Sequence, residues 1–156
     1  VVYCSGDVLK AAVGAKPFLI KPNQEEAENL VGSSIVTIAD AIEACKEMHG
    51  MGAKNVLLSL GEQGSLYFNG EKLYRARAEK IVATNTVGAG DALLAGFIGK
   101  FKAGPIKALA TGVAWSSAAI KSRGTGISAP PTDIPTELVT EINPKEASLH
   151  GEDLQH

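Results

Sequence analysis

Residues 84–97 read TNTVGAGDALLAGF, and within them Gly88-Ala89-Gly90-Asp91 sets three small residues ahead of one acid, at the start of an apolar run. Side chains this small let successive backbone N–H groups point into one concave spot, at the positive end of a helix dipole. Such a nest suits a phosphate, or the charge that builds on a transferring phosphoryl group. The carboxylate of Asp91 is then placed to accept a proton from an attacking hydroxyl. A plainer account is also open, in which Asp91 is an N-cap and the glycines only turn a strand into a helix.

Three further stretches put polar or small residues where a ligand would need them. KPNQEE places Lys21, Asn23 and Glu26 directly after an apolar run, and Asn23 with Glu26 also fits a capping box. SLGEQG sets Ser59, Gly61, Gln63 and Gly64 around a strand-to-turn junction. Glycine there admits a ribose or phosphate close to the backbone, or simply makes a turn. GVAWSSAAIKSRGTGIS has small residues on one face of a long helix, then a glycine loop, which leaves room for a flat apolar group or serves ordinary packing. Trp115 reads as core. His49, His150 and His156 lack metal-ligand spacing, and Lys100, Lys102 and Lys107 read as a solvated helix edge.

The elements that must position these residues follow from apolar periodicity and punctuation. Val1 to Tyr3 reads as a strand end, and a helix capped by Ser5-Gly6-Asp7 is expected to end near Gly14. PFLI (17–20) and NVLLSL (55–60) read as buried parallel strands. Asn23 opens a helix that Gly32 stops, and Thr37 opens another with Ile38, Ala41, Ile42 and Cys45 on one face. SLYFN and EKLYRA form a hairpin about Asn69-Gly70. KIVAT (80–84) reads as a strand, followed by a helix to about Phe101 and a second long one after Gly104-Pro105. TELVTEI reads as a last short helix, and 143–156 as a polar, disordered tail after a single unit over 1–142. Strands alternating with helices give an α/β layered fold with a mostly parallel sheet, whose ligands bind beyond the carboxyl ends of the strands. The clusters KPN, SLGEQG and NTVGAGD should therefore converge on one edge.

NTVGAGDALLAGFI resembles the C-terminal signature of the ribokinase-like, or PfkB, family of carbohydrate kinases, through Asn85, Thr86, Gly88, Ala89, Gly90, Asp91, Ala95 and Gly96. The resemblance implies a ribokinase-like fold and ATP-dependent phosphoryl transfer, with Asp91 as catalytic base and the amides of Gly88, Ala89, Gly90 and Asp91 as the anion hole. KPNQEE is similar to the family's N-x-x-E element, which implies that Asn23 and Glu26 help place magnesium, largely through water, with Lys21 and Asn23 near the nucleotide phosphates. SLGEQG resembles its nucleotide loop, implying Ser59, Gly61, Gln63, Gly64 and Thr86 as nucleotide contacts, with Val113 and Ser117 beside the adenine. Members often bind a monovalent cation, here potassium, through loop carbonyls. Ala83, Asn85, Ala119, Ser122, Gly124 and Gly126 are the corresponding positions. Within the family, SGDVLKAA before LIKPN favours a fructose 1-phosphate kinase over one for tagatose 6-phosphate. A kinase for another sugar or a nucleoside, and a non-catalytic nucleotide-binding remnant, are the alternatives.

Two features depart from the family pattern: Tyr3-Cys4 where many members have Asp-Thr, and Ala92 where Ser often follows the base. Length is the larger departure. Members have roughly twice these 156 residues, so the chain is expected to be a C-terminal half lacking the N-terminal strands and the sugar-covering lid, and inactive alone. The missing half or a second copy would then be its partner, beside ATP and a sugar phosphate. Composition fits a soluble cytoplasmic protein: 45% hydrophobic, 21% charged, and two cysteines without C-x-x-C spacing. A net charge of −2 offers no general attraction to nucleic acid or an anionic membrane.

Overall fold

The computed structural model describes residues 1–2, 6–77, 87–121, 131, 134–149 and 154, with backbone alone for 147–149. It divides into a first unit, Val1–Arg75 with Glu141–His156, and a second, Ala76–Thr140.

In the first unit α1 (Gly6–Gly14), α2 (Gln24–Val31) and α3 (Ile38–Gly50) precede β1 (Val56–Ser59), β2 (Ser65–Phe68) and β3 (Leu73–Ala76). The capping box expected at Asn23 forms, and the structure adds a second at Thr37. Asn23 Oδ1 accepts the Glu26 N–H at 2.8 Å, and Glu26 Oε2 accepts the Asn23 N–H at 2.9 Å. Thr37 Oγ1 accepts the Asp40 N–H at 3.2 Å, while Asp40 Oδ2 accepts those of Thr37 and Val36 at 2.8 and 3.0 Å. Gly32 closes α2 by donating to the Glu28 carbonyl. The predicted face of α3 is buried, with Ala44 and Met48 joining Ile38, Ala41, Ile42 and Cys45. Burial of a large apolar side chain contributes roughly 1.5–3 kcal/mol, so this stripe outweighs anything intrinsic to a three-turn helix.

Strand β1 runs antiparallel to β2, in a register that sets Val56 against Phe68 and Ser59 against Ser65. Parallel bridges join Val2 to Ile20, Ile20 to Val56 and Asn23 to Ser59. PFLI thus lies alongside β1 without being a full strand. The Asn69-Gly70 hairpin forms, with Asn69 Oδ1 accepting the N–H groups of Glu71 and Lys72 at 3.0 and 2.8 Å.

Two expectations are corrected at the C-terminal end. TELVTEI is not a helix: after a 3-10 turn (Thr136–Leu138) it forms β4 (Val139–Ile142), and the sheet order is β1-β2-β3-β4. Val, Thr and Ile in that run fit a pleated edge, and the neighbouring strand β3 supplies the ladder that the isolated sequence lacks. Nor is 143–156 wholly a loose tail. Pro144–Leu149 makes a 3-10 turn against α3, and Leu154, 4% exposed, donates its N–H to the Val36 carbonyl at 2.7 Å.

The second unit is built on α4 (Ala89–Gly99) and α5 (Pro105–Lys121). Helix α4 stops two residues short of Phe101, which begins a 3-10 turn (Phe101–Ala103). Leu93 and Phe97 pack against α5, where Ala108, Leu109 and Ala110 are buried. The expected strand 80–84 lies outside the described residues.

Candidate functional site

Gly88 caps α4 at φ 86°, ψ −11°, with no side chain bonded to the helix end. That left-handed conformation is open to glycine and costly for most other residues. The first helical hydrogen bond runs from Ala92 N–H to the Gly88 carbonyl at 3.1 Å. The N–H groups of Gly88, Ala89, Gly90 and Asp91 are therefore the four that lack an intrahelical acceptor. Asp91 is not the N-cap of the plainer account: it sits two residues into the helix from Ala89, and it is exposed. An acid in the first turn also complements the helix dipole.

The same unit holds a cavity of about 290 Å³, at the small end of the roughly 300–1,000 Å³ usual for ligand pockets. Val113 and Ser117 lie on its wall, with Ala110, Ala114 and Ala118 of α5. Arg77 and Lys121 bring cationic side chains to it. Pro135, Leu138 and Val139 form part of the lining, and sequence reasoning missed them because it read 136–142 as a helix and gave Pro135 no role. Ala119 lies on α5. Thr86, and the cation candidates Ala83, Asn85, Ser122, Gly124 and Gly126, fall outside the described residues.

In the first unit, the strand ends do converge for two clusters. The bridge between Asn23 and Ser59, with Ser59 N–H donating to the Pro22 carbonyl at 3.0 Å, sets KPN beside SLG. Lys21 is buried, and Asn23 is exposed. Glu26 lines a cavity of about 210 Å³ between α1 and α2, with Asp7, Lys10 and Asn29. The loop after β1 is turned by its own bonds, Gln63 N–H to Leu60 and Gly64 N–H to Gly61, both at 3.1 Å. Gly61 and Gly64 therefore meet the needs of a turn, and two of the loop's amides are already committed.

Two titratable groups are displaced by burial away from these sites. The Cys45 thiol is pushed up by complete burial, and the Tyr67 hydroxyl is pushed up to about 12 by burial and by Tyr74 beside it. Tyr67 donates to Asn55 Oδ1 at 2.7 Å, and Asn55 Nδ2 donates to the Phe18 carbonyl at 2.8 Å. That chain is structural, tying β2 to the segment before α2. No group of three or more His, Cys, Asp or Glu able to hold a metal occurs among the described residues. No described helix is long and apolar enough to cross a membrane.

The model of pfkB family carbohydrate kinases matches residues 3–133, and the chain belongs to that family. It is 37% identical over 129 residues to a 1-phosphofructokinase of Haemophilus influenzae, covering 80% of this chain and 41% of that protein. It is 38% identical over 94 residues to a 1-phosphofructokinase of Bacillus subtilis, covering 60% and 31%. Among solved structures it is similar to phosphofructokinase-2 from Escherichia coli in complex with potassium, with a TM-score of 0.71 and 34% identity, covering 78% of this chain and 40% of that one. These likenesses give the chain a ribokinase-like α/β fold, in part. It spans about two fifths or less of the curated relatives named here.

Proposed function

We propose that this chain carries the nucleotide-binding half of a kinase that transfers the γ-phosphoryl group of ATP to the C6 hydroxyl of fructose 1-phosphate. The observation that carries the reading is the mouth of α4: four amides without intrahelical acceptors, opening at left-handed Gly88, with an exposed carboxylate among them. As the sugar oxygen bonds to phosphorus and the bond to the ADP oxygen breaks, Asp91 takes the hydroxyl proton. The amides of Gly88 to Asp91 hold the charge on the equatorial oxygens. The cavity of α5 takes the adenine against Val113 and Ser117.

Asn23 and Glu26 fit a magnesium ion held largely through water. The capping box uses Glu26 Oε2 to orient the carboxylate, and hard oxygen donors suit a cation that dehydrates reluctantly. When bound, the ion neutralises phosphate charge. Lys21, Ser59, Gly61, Gln63, Gly64 and Thr86 are further nucleotide contacts in this reading. Potassium at 83, 85, 119, 122, 124 and 126 remains part of it, and the similar phosphofructokinase-2 was solved with that ion. Transfer requires the sugar-binding half of the family's length, so the 156-residue chain alone binds nucleotide and does not turn over.

Titration calorimetry tests the nucleotide half directly. Magnesium-ATP binds the chain, and Ser117→Phe, which fills the cavity, weakens that binding by at least about tenfold. The chain joined to a family N-terminal half phosphorylates fructose 1-phosphate ahead of fructose 6-phosphate, tagatose 6-phosphate and ribose. Absence of heat at millimolar nucleotide overturns the reading. Binding by the chain with no transfer by the joined protein leaves the nucleotide-binding remnant instead.

A further inference from the structure

Helices α4 and α5 meet where neither has a side chain. A Cβ on Gly96 would lie 2.8 Å from the Thr111 carbonyl oxygen and 2.9 Å from Gly112 Cα. One on Gly112 would lie 2.7 Å from the Leu93 carbonyl oxygen and 3.1 Å from Leu93 Cδ1. Backbone therefore rests on backbone, a separation that any larger residue would force apart. The contrast within α4 is direct, since a Cβ on Gly99 would meet nothing within 4 Å.

The location of this contact gives it more than a packing role. Leu93 is two residues beyond Asp91, inside the first turns of α4. Gly112 immediately precedes Val113, and Ala110 and Val113 line the cavity, whereas neither glycine does. A single close contact thus connects the phosphate end and the base end of the site described above.

We propose that Gly96 and Gly112 are positioning residues, whose contact sets the span between the α4 mouth and the α5 cavity so that one nucleotide engages both together. This rests on the nucleotide reading of the site. A two-ended ligand gains affinity because its second end binds intramolecularly, and the gain vanishes when the span is wrong.

The test is titration of the 156-residue chain, in magnesium buffer, with adenosine, inorganic tripolyphosphate and ATP. Gly112→Ala lowers ATP affinity about tenfold or more, while adenosine and tripolyphosphate each move by less than about twofold. Gly99→Ala changes none of the three. Where circular dichroism shows that Gly112→Ala has not folded, Leu93→Ala removes the side chain that flanks the contact, lets the helices shift there, and gives the same split. Equal losses on all three probes, or unchanged ATP affinity in a folded variant, overturn the positioning role. If the unmodified chain binds neither adenosine nor tripolyphosphate, the nucleotide reading falls first and takes the inference with it.

Discussion

Replacing Gly88 by alanine tests whether the helix mouth has the backbone described here, because the geometry fixes the sign of the effect. At an ordinary φ, Gly→Ala stabilises a protein by about 0.4–1 kcal/mol, since it removes freedom from the unfolded chain. Gly88 instead sits at φ 86°, ψ −11°. A side chain there costs about 1–2 kcal/mol through the clash of Cβ with the following carbonyl. At about 2–4 °C per kcal/mol for a chain of this size, Gly88→Ala melts about 2–8 °C lower. Asparagine tolerates the left-handed region through local hydrogen bonds, so Gly88→Asn recovers part of the loss. Trp115 is the only tryptophan and lies half-buried on α5 in the same unit, so its fluorescence reports the transition. A Gly88→Ala chain as stable as the parent, or more so, would refute the left-handed cap and the amide arrangement built on it.

Two further effects concern the first unit. Accepting the Thr37 N–H holds the Asp40 carboxyl below its ordinary 3.8, with the Val36 N–H and Thr37 hydroxyl adding to that against the opposing effect of burial. A depressed folded value means that the unfolded chain takes the proton first as pH falls. The contribution is thus complete above about pH 3.8 and is lost as pH drops through the lower folded value. Urea melts of the parent and Asp40→Asn should differ most near neutrality and converge in acid, and a gap independent of pH would count against the cap. Leu154→Ala removes a side chain that is 4% exposed in the core of the first unit. Buried leucine truncations cost about 2–5 kcal/mol. Thermal melts check it, and no change would mean that the segment is not docked.

Local chemistry was legible wherever a short-range pattern decides structure. Asn23 with Glu26 and Thr37 with Asp40 each complete a cap within one turn, so three residues of context suffice. The same holds for the Asn69-Gly70 turn and for the periodic face of α3. The failures are long-range. Val139–Ile142 becomes a strand because β3 offers an edge more than 60 residues earlier in the chain. Leu154 is fixed by the carbonyl of Val36, a partner that a polar neighbourhood gives no reason to expect. At the site, glycine spacing revealed the amides of α4, because only backbone freedom was needed. The far wall of the cavity, with Pro135 and Leu138, is assembled by tertiary contact and carries no local signature.

In the proposed reaction the carboxylate beside the α4 amides moves a proton and is not needed for binding. Asp91→Asn in the chain joined to a family N-terminal half, followed by a coupled assay for fructose 1-phosphate phosphorylation, tests it most directly. Loss of a general base should lower kcat by about 10²–10⁴-fold, while affinity for magnesium-ATP changes by less than about threefold. An unchanged kcat, or a fall in ATP affinity as large as the fall in turnover, would contradict it.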